Sequence, residues 1–222
     1  MKILLKEDVF SMIKPASNPE KPVKFYNKNI GRGELVEPEE SNWYPVYKFV
    51  LEFLPPPSET PTILDVGCGT GMFAKMLYKK GYTEYSGFDF SRRRVKIARN
   101  SVPEFSFVKR NMFDVGMQDI YPLFDNIVVL EVLEHIENDL EFLRSIPEGK
   151  TIIFSVPNIL SNSHVRAFIN EESAIERYNN ILDFLHVRIF IGKRKRLHRN
   201  AYGKSKNMYS KIFVYKCIKK KV

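Results

Sequence analysis

A chain of 222 residues is long enough for one domain with a sizeable core and short for two. Its 44% hydrophobic and 27% charged residues are ordinary for a globular protein, and no run approaches the roughly 20 apolar residues of a membrane-spanning helix. The net charge of +9 is uneven: twelve of the 35 basic residues and none of the 26 acidic ones lie from Gly192 onward, leaving the first 191 residues near −3. Such a tail suits an anionic partner (RNA, DNA, a membrane surface, a phosphorylated substrate) or a merely solvated face. The apolar patch Ile3-Leu4-Leu5 is too short for a signal peptide. Cys68 and Cys217 lie far apart and outside any CxxC pair, so they read as free thiols, and the cytoplasm is the expected location.

Residues 1–41, broken by Pro15, Pro19, Pro22 and Pro38, read as irregular. Asn42 is the expected cap of a helix from Trp43 to Leu54, with Pro45 tolerated in its first turn and Pro55-Pro56-Pro57 ending it. Residues 1–57 are thus expected to form an N-terminal segment and helix acting as a lid, and residues 58–222 the main domain, with a basic C-terminal strand pair. From there strands and helices alternate. Strands are predicted at Thr62–Val66, Tyr85–Phe88, Phe105–Val108, Asp125–Leu130, Thr151–Val156, Val187–Ile191 and Lys211–Ile218. Helices are predicted at Met72–Lys80, from Ser91 to Asn100, through Ile136, Leu140 and Leu143 to near Pro147, and from Glu171 to Phe184. That alternation predicts an α/β fold with a seven-stranded, mostly parallel sheet covered on both faces. The last strand follows a basic loop instead of a helix and is expected to run antiparallel.

The strongest signal is Asp65-Val66-Gly67-Cys68-Gly69-Thr70-Gly71, three glycines between a strand and a helix. Glycine there allows a tight turn and lets a ligand approach the backbone. The GxGxG spacing departs from the GxGxxG of dinucleotide binders, which argues against a dehydrogenase. Asp89 ends the second strand, where a carboxylate can accept hydrogen bonds from both hydroxyls of a ribose.

These residues resemble the class I S-adenosylmethionine (SAM) dependent methyltransferases. The glycine run matches the family's first motif, and Asp89 its ribose-binding acid. Asn111, in Arg110-Asn111-Met112, stands where the family often has an Asp facing the adenine amino group. Leu130-Glu131-Val132-Leu133-Glu134-His135 is similar to the motif after the fourth strand, most closely that of the ubiquinone-type O-methyltransferases. The resemblance implies a Rossmann-like fold with S-adenosyl-L-methionine as cofactor. It implies a cofactor site made of Asp65, Gly67, Cys68, Gly69, Gly71, Asp89, Phe90, Asn111, Met112 and Glu131.

For the chemistry, His135 is the candidate general base, with Glu134 beside it. Tyr44, Asn158, His164 and Arg166 are candidates for the acceptor pocket, Arg166 suiting an anionic group. Glu131, Glu134 and His135 are also a set suited to Mg²⁺ or Mn²⁺. The run resembles the metal motif of small-RNA 3′-terminal 2′-O-methyltransferases, which add a later histidine, a part open to His164 or His186. It also occurs in metal-free methyltransferases, and no metal ligand is assigned. The expected function is methyl transfer to an oxygen or nitrogen of a small molecule, glycan or lipid precursor. The alternatives are an RNA methyltransferase using basic residues 193–221, with or without a metal, and a non-catalytic SAM-binding module.

Overall fold

The computed structural model describes residues 18–193, 196–199 and 205–221. Its main sheet has seven strands in the order β3-β2-β1-β4-β5-β9-β6. These are β1 (Ile63–Val66), β2 (Tyr85–Asp89), β3 (Ser106–Lys109), β4 (Asn126–Leu130), β5 (Thr151–Pro157), β6 (Leu182–Ile191) and β9 (Lys211–Lys219). The first five pair in parallel, and β9 lies antiparallel between β5 and β6. Two short strands, β7 (Arg196–Arg199) and β8 (Ser205–Met208), pair with each other as a separate ribbon inside the basic segment, where a plain loop was expected.

The central strands are buried on both sides because alternate residues feed two apolar clusters. Leu64, Val66, Ile127, Val129, Ile152 and Phe154 point into one, with Phe142, Leu143 and Tyr178 packed on them. Ile63, Val128, Ile153 and Val214 point into the other, against Val50, Phe73, Leu77 and Ala98. The α-helices are α1 (Val23–Lys28), α2 (Tyr44–Phe53), α3 (Met72–Lys79), α4 (Arg92–Ser101), α5 (Met117–Ile120), α6 (Asp139–Ser145) and α7 (Glu171–Tyr178), of which α2, α3, α4, α6 and α7 supply those side chains. Ser91 caps α4 as its sequence position predicts, its hydroxyl accepting the Arg94 N–H at 3.3 Å.

Several boundaries differ from expectation. Helix α7 stops at Tyr178 and β6 begins at Leu182, five residues before the predicted Val187. Leu182 pairs with Lys219, and the Leu182 side chain is buried, so sheet pairing overrides the helical spacing of 181–184. Ile136 lies outside α6, which starts at Asp139. Asn42 does not cap α2; the first residue outside that helix is Trp43, whose N–H is taken by the Ser41 hydroxyl. Within the expected irregular stretch, α1 and two 3₁₀ turns, Arg32–Glu34 and Pro38–Glu40, are formed. Among the described residues no helix is long and apolar enough to cross a membrane.

Candidate active site

The strands β1, β2 and β4 end at one cavity of about 330 Å³, the position where open α/β sheets bind ligands. Its floor is the turn after β1. Gly67 has φ +77, and a Cβ there would lie 2.5 Å from Val132 Cγ2. Only glycine therefore lets the turn and the loop after β4 sit this close. Gly71 is different from its two companions: it does not line the cavity. At φ +81 its missing Cβ leaves room for Ala98, which would be 2.9 Å away, so it serves the packing of α4.

Asp89 stands at the end of β2 with its carboxylate fixed by two backbone donors, Gly69 N–H to Oδ2 at 3.1 Å and Ser91 N–H to Oδ1 at 2.8 Å. Each oxygen keeps a lone pair for a further donor. Burial pushes its pKa up, against the two backbone bonds. Asp65 lies beneath, accepting from the Tyr85 hydroxyl at 2.8 Å, and burial pushes its carboxyl up to about 7. Cys68, Phe90, Asn111 and Met112 line the same cavity. The side-chain oxygen of Asn111 already accepts the Phe113 N–H at 3.0 Å.

The opposite wall is the loop after β4. Glu131 holds φ +54, a left-handed conformation uncommon for a residue with a side chain. Ser155 keeps it there: its hydroxyl accepts the Glu131 N–H at 3.0 Å and donates to Glu131 Oε1 at 2.8 Å. Burial pushes the Glu131 carboxyl up to about 7. His135 also lines the cavity, with Nδ1 2.9 Å from the Ser163 carbonyl. Burial first, then neighbouring His164, pushes its pKa down to about 4. Glu134 does not reach the cavity. Its side chain is 0% exposed, and burial with the nearby Glu131 charge raises its pKa.

Of the expected acceptor residues, Tyr44, Asn158, His164 and Arg166, none lines this cavity. Tyr44 lies under Lys48, whose ammonium is 5.2 Å from the ring centroid. Asn158, just after β5, ties it to the start of β9, its Oδ1 accepting the Lys211 N–H at 2.7 Å. His164 turns its Nδ1 to the Ile159 carbonyl and its ring to His135, 4.8 Å between centroids. Arg166 is a correction in kind. Its buried guanidinium donates to the carbonyls of Leu133, Ile136 and Glu137 and lies 3.2 Å from Asp139, so it holds the loop after β4 and has no donors turned to an acceptor.

Residues 18–34 belong to the segment expected to act as a lid, with the contacts of Asn27 and Glu34 as details that the sequence reading did not name. Tyr26 lies 5.1 Å from the Phe90 ring and 5.9 Å, edge to face, from His135. Asn27 takes the Ser91 hydroxyl at 2.7 Å, Thr70 donates to the Glu34 carbonyl at 2.7 Å, and Glu34 pairs with Arg94. Tyr26, Glu34, Trp43 and Tyr47 line the same cavity. No apolar period marks this strap, in which Val23, Phe25, Tyr26 and Ile30 stand among polar residues.

A seven-stranded sheet with one antiparallel insertion, a glycine turn after β1 and an acid at the end of β2 define a Rossmann-like binder of a ribose-containing cofactor. Residues 41–206 match the family model described as a methyltransferase domain, and the chain belongs to that family, the class I SAM-dependent methyltransferases. Its cofactor is SAM. A ubiquinone biosynthesis O-methyltransferase of Alkalilimnicola ehrlichii is 29% identical over 122 residues, 51% of this chain and 49% of that protein. Ajmaline N-methyltransferase of Rauvolfia serpentina is 31% identical over 131 residues, 55% of this chain and 43% of that one. The chain spans about half the length, or less, of these curated relatives. The N-methyltransferase NodS of Bradyrhizobium japonicum, solved with S-adenosyl-L-homocysteine, shares the fold at a TM-score of 0.58 and 16% identity, over 87% of this chain and 95% of that one.

Proposed function

We propose that this chain transfers the methyl group of SAM to an oxygen or nitrogen of a small molecule, glycan or lipid precursor. One observation carries the reading: a single cavity has the Gly67–Gly69 turn and Asp89 on one wall and Glu131 and His135 on the other. The cofactor supplies a methyl group activated by its sulfonium. Asp89 offers its two remaining lone pairs to ribose hydroxyls, and Phe90 and Met112 flank the adenine. Glu131, clamped by Ser155, and His135 face the acceptor. Displacement at a methyl carbon needs the acceptor atom in line, so holding it there is the main task of these residues. His135, with its basicity lowered by burial, serves that wall by orientation more than by storing a proton. The strap over Tyr26 and Trp43 is the lid, excluding water from the transfer.

The names of the ubiquinone biosynthesis and ajmaline relatives favour a small acceptor. The RNA reading leans on residues 193–221, of which 194, 195 and 200–204 lie outside the described residues. The two cysteines are free and buried, which agrees with a reducing cytoplasm.

The test is transfer of labelled methyl from SAM into a cell extract split into RNA, protein and small-molecule fractions. Label in the small-molecule fraction is expected; label in RNA that falls with salt overturns the acceptor class. No label with SAM affinity intact leaves a binding module. Asp89→Ala should weaken SAM binding by about 1.5–3 kcal/mol, because charge-assisted hydrogen bonds are lost. Unchanged affinity by calorimetry refutes the ribose assignment.

A further inference from the structure

The basic segment after β6 stands on the same edge of the sheet as the cavity. Strands β5 and β6 both pair antiparallel with β9, and β5 pairs in parallel with β4. Strand β6 therefore runs with β4 and ends, at Ile191, on the carboxyl edge where β1, β2 and β4 meet the cavity. Pairing continues beyond that edge. The Gly192 N–H donates to the Ser210 carbonyl at 2.8 Å, and Arg196–Arg199 then pair with Ser205–Met208. Asn158 moors the base of this ribbon to the loop after β5, its Nδ2 donating to the Tyr209 carbonyl at 3.3 Å. The same loop carries the Ser163 carbonyl that meets His135. Residues 192–211 hold eight Lys or Arg and no Asp or Glu.

A second observation is independent of charge: large apolar side chains are left exposed on this edge. Ile191 at the end of β6 and Tyr209 at the ribbon base are both exposed. Val115, 97% exposed, lies two residues past Phe113, an exposed member of the cavity lining. Leu35, also exposed, follows Glu34, whose carbonyl takes the Thr70 hydroxyl of the glycine turn. Acids nearby are engaged: Glu34 with Arg94, Glu37 with Lys75 and Lys79, and Asp114 with the Asn111 N–H. Apolar side chains beside a cluster of about four to eight cations suit an anionic bilayer, where the first enter the headgroup layer and the second meet its phosphates. A nucleic acid or a free phosphate would use the cations and leave Leu35, Val115 and Ile191 in water. We propose that this edge, ribbon and apolar side chains together, docks on the surface of an anionic lipid bilayer and turns the cavity toward it. The contact is peripheral. Its purpose, bringing a lipid precursor to Glu131 and His135, rests on the function proposed above; the docking does not.

The test is co-sedimentation of the full chain, SAM-loaded, with phosphatidylcholine vesicles that contain either no phosphatidylglycerol or about a third of it. Binding to the anionic vesicles alone is expected, and it should fall as salt screens the charges. Each basic residue near an anionic surface adds roughly fivefold to the partition coefficient. The combined change Lys193→Gln, Arg196→Gln, Arg199→Gln and Lys206→Gln should therefore lower it more than about 100-fold. Val115→Asp should lower it at least about tenfold, because a charge replaces a side chain that enters the headgroup layer. SAM affinity within about twofold of the parent shows that both variants are folded. Three results overturn the proposal: no binding to the anionic vesicles, binding that survives loss of the four ribbon cations, or binding indifferent to Val115→Asp. The last would leave a surface for a polyanion such as nucleic acid, which titration with an oligouridylate identifies. Sedimentation is read without methyl transfer, so failure to methylate leaves this result standing on its own.

Discussion

Replacing Arg166 by alanine separates two assignments of one residue. A loop arginine that follows Ser161-Asn162-Ser163-His164 looks like an anion receptor for the acceptor. In the fold its side chain is 9% exposed, and its donors go to the carbonyls of Leu133, Ile136 (2.5 Å) and Glu137 (3.1 Å). Its charge is balanced by Asp139, which Arg177 also grips at 2.8 and 2.6 Å and Tyr178 at 2.7 Å. Removing the guanidinium orphans three carbonyls that have turned away from water. Breaking one side of such a buried ionic network costs about 3–5 kcal/mol, partly softened here because Asp139 retains Arg177. Out of a total stability of about 5–15 kcal/mol, that is a large share. Urea unfolding, followed by the fluorescence of the chain's one tryptophan, measures it. Arg166→Lys keeps the charge but loses the planar fork, and should fall between the parent and alanine. A loss below about 1 kcal/mol with a raised acceptor KM would refute the structural role and return Arg166 to the acceptor pocket.

Other outcomes follow from the same geometry. Burial pushes the Asp65 carboxyl from its ordinary 3.8 up to about 7, so its contribution to stability is full below about pH 4 and is lost as pH rises to about 7. At about 1.4 kcal/mol per unit the loss reaches about 4–5 kcal/mol. Asp65→Asn without SAM should flatten that part of the pH–stability curve; parallel curves would refute it. Gly71→Ala combines a left-handed φ with a Cβ 2.9 Å from Ala98 and should cost about 2–4 kcal/mol, visible as a lower Tm. An unchanged Tm means that α4 moves aside freely. Ser155→Ala removes both hydrogen bonds that fix Glu131, and kcat/KM should fall at least about tenfold with SAM affinity kept. Full activity would show that Glu131 needs no clamp.

What the sequence revealed and what it hid divide along a physical line. The strands β1, β4 and β5 are short, largely apolar runs, and the glycine turn sits between a strand and a helix, so contacts within about twenty residues sufficed. The sites of Asp89 and Glu131 followed from their places at strand ends. The contacts of the expected lid segment did not, because Asn27 meets Ser91 and Glu34 meets Arg94 across sixty residues or more, and those contacts are polar, with no period to betray them. Arg166 was misread for the same reason: the three carbonyls it holds converge only once the loop after β4 has turned. Residues 181–184 admit both helical and extended spacing, and pairing with β9 decided between them.

The place of β9 sets the order in which the sheet can be completed. Strand β6 pairs in the main sheet with β9 alone, and β5 receives β9 on its far side. Until residues 211–219 are synthesised, β5 keeps an open edge along Thr151–Pro157, and β6 has no partner to lie against. That edge is the apolar run Ile152-Ile153-Phe154, the kind of unpaired strand that recruits another chain. Completion of this sheet therefore waits on an insertion between β5 and β6, and a chain that has not yet made it is exposed to aggregation.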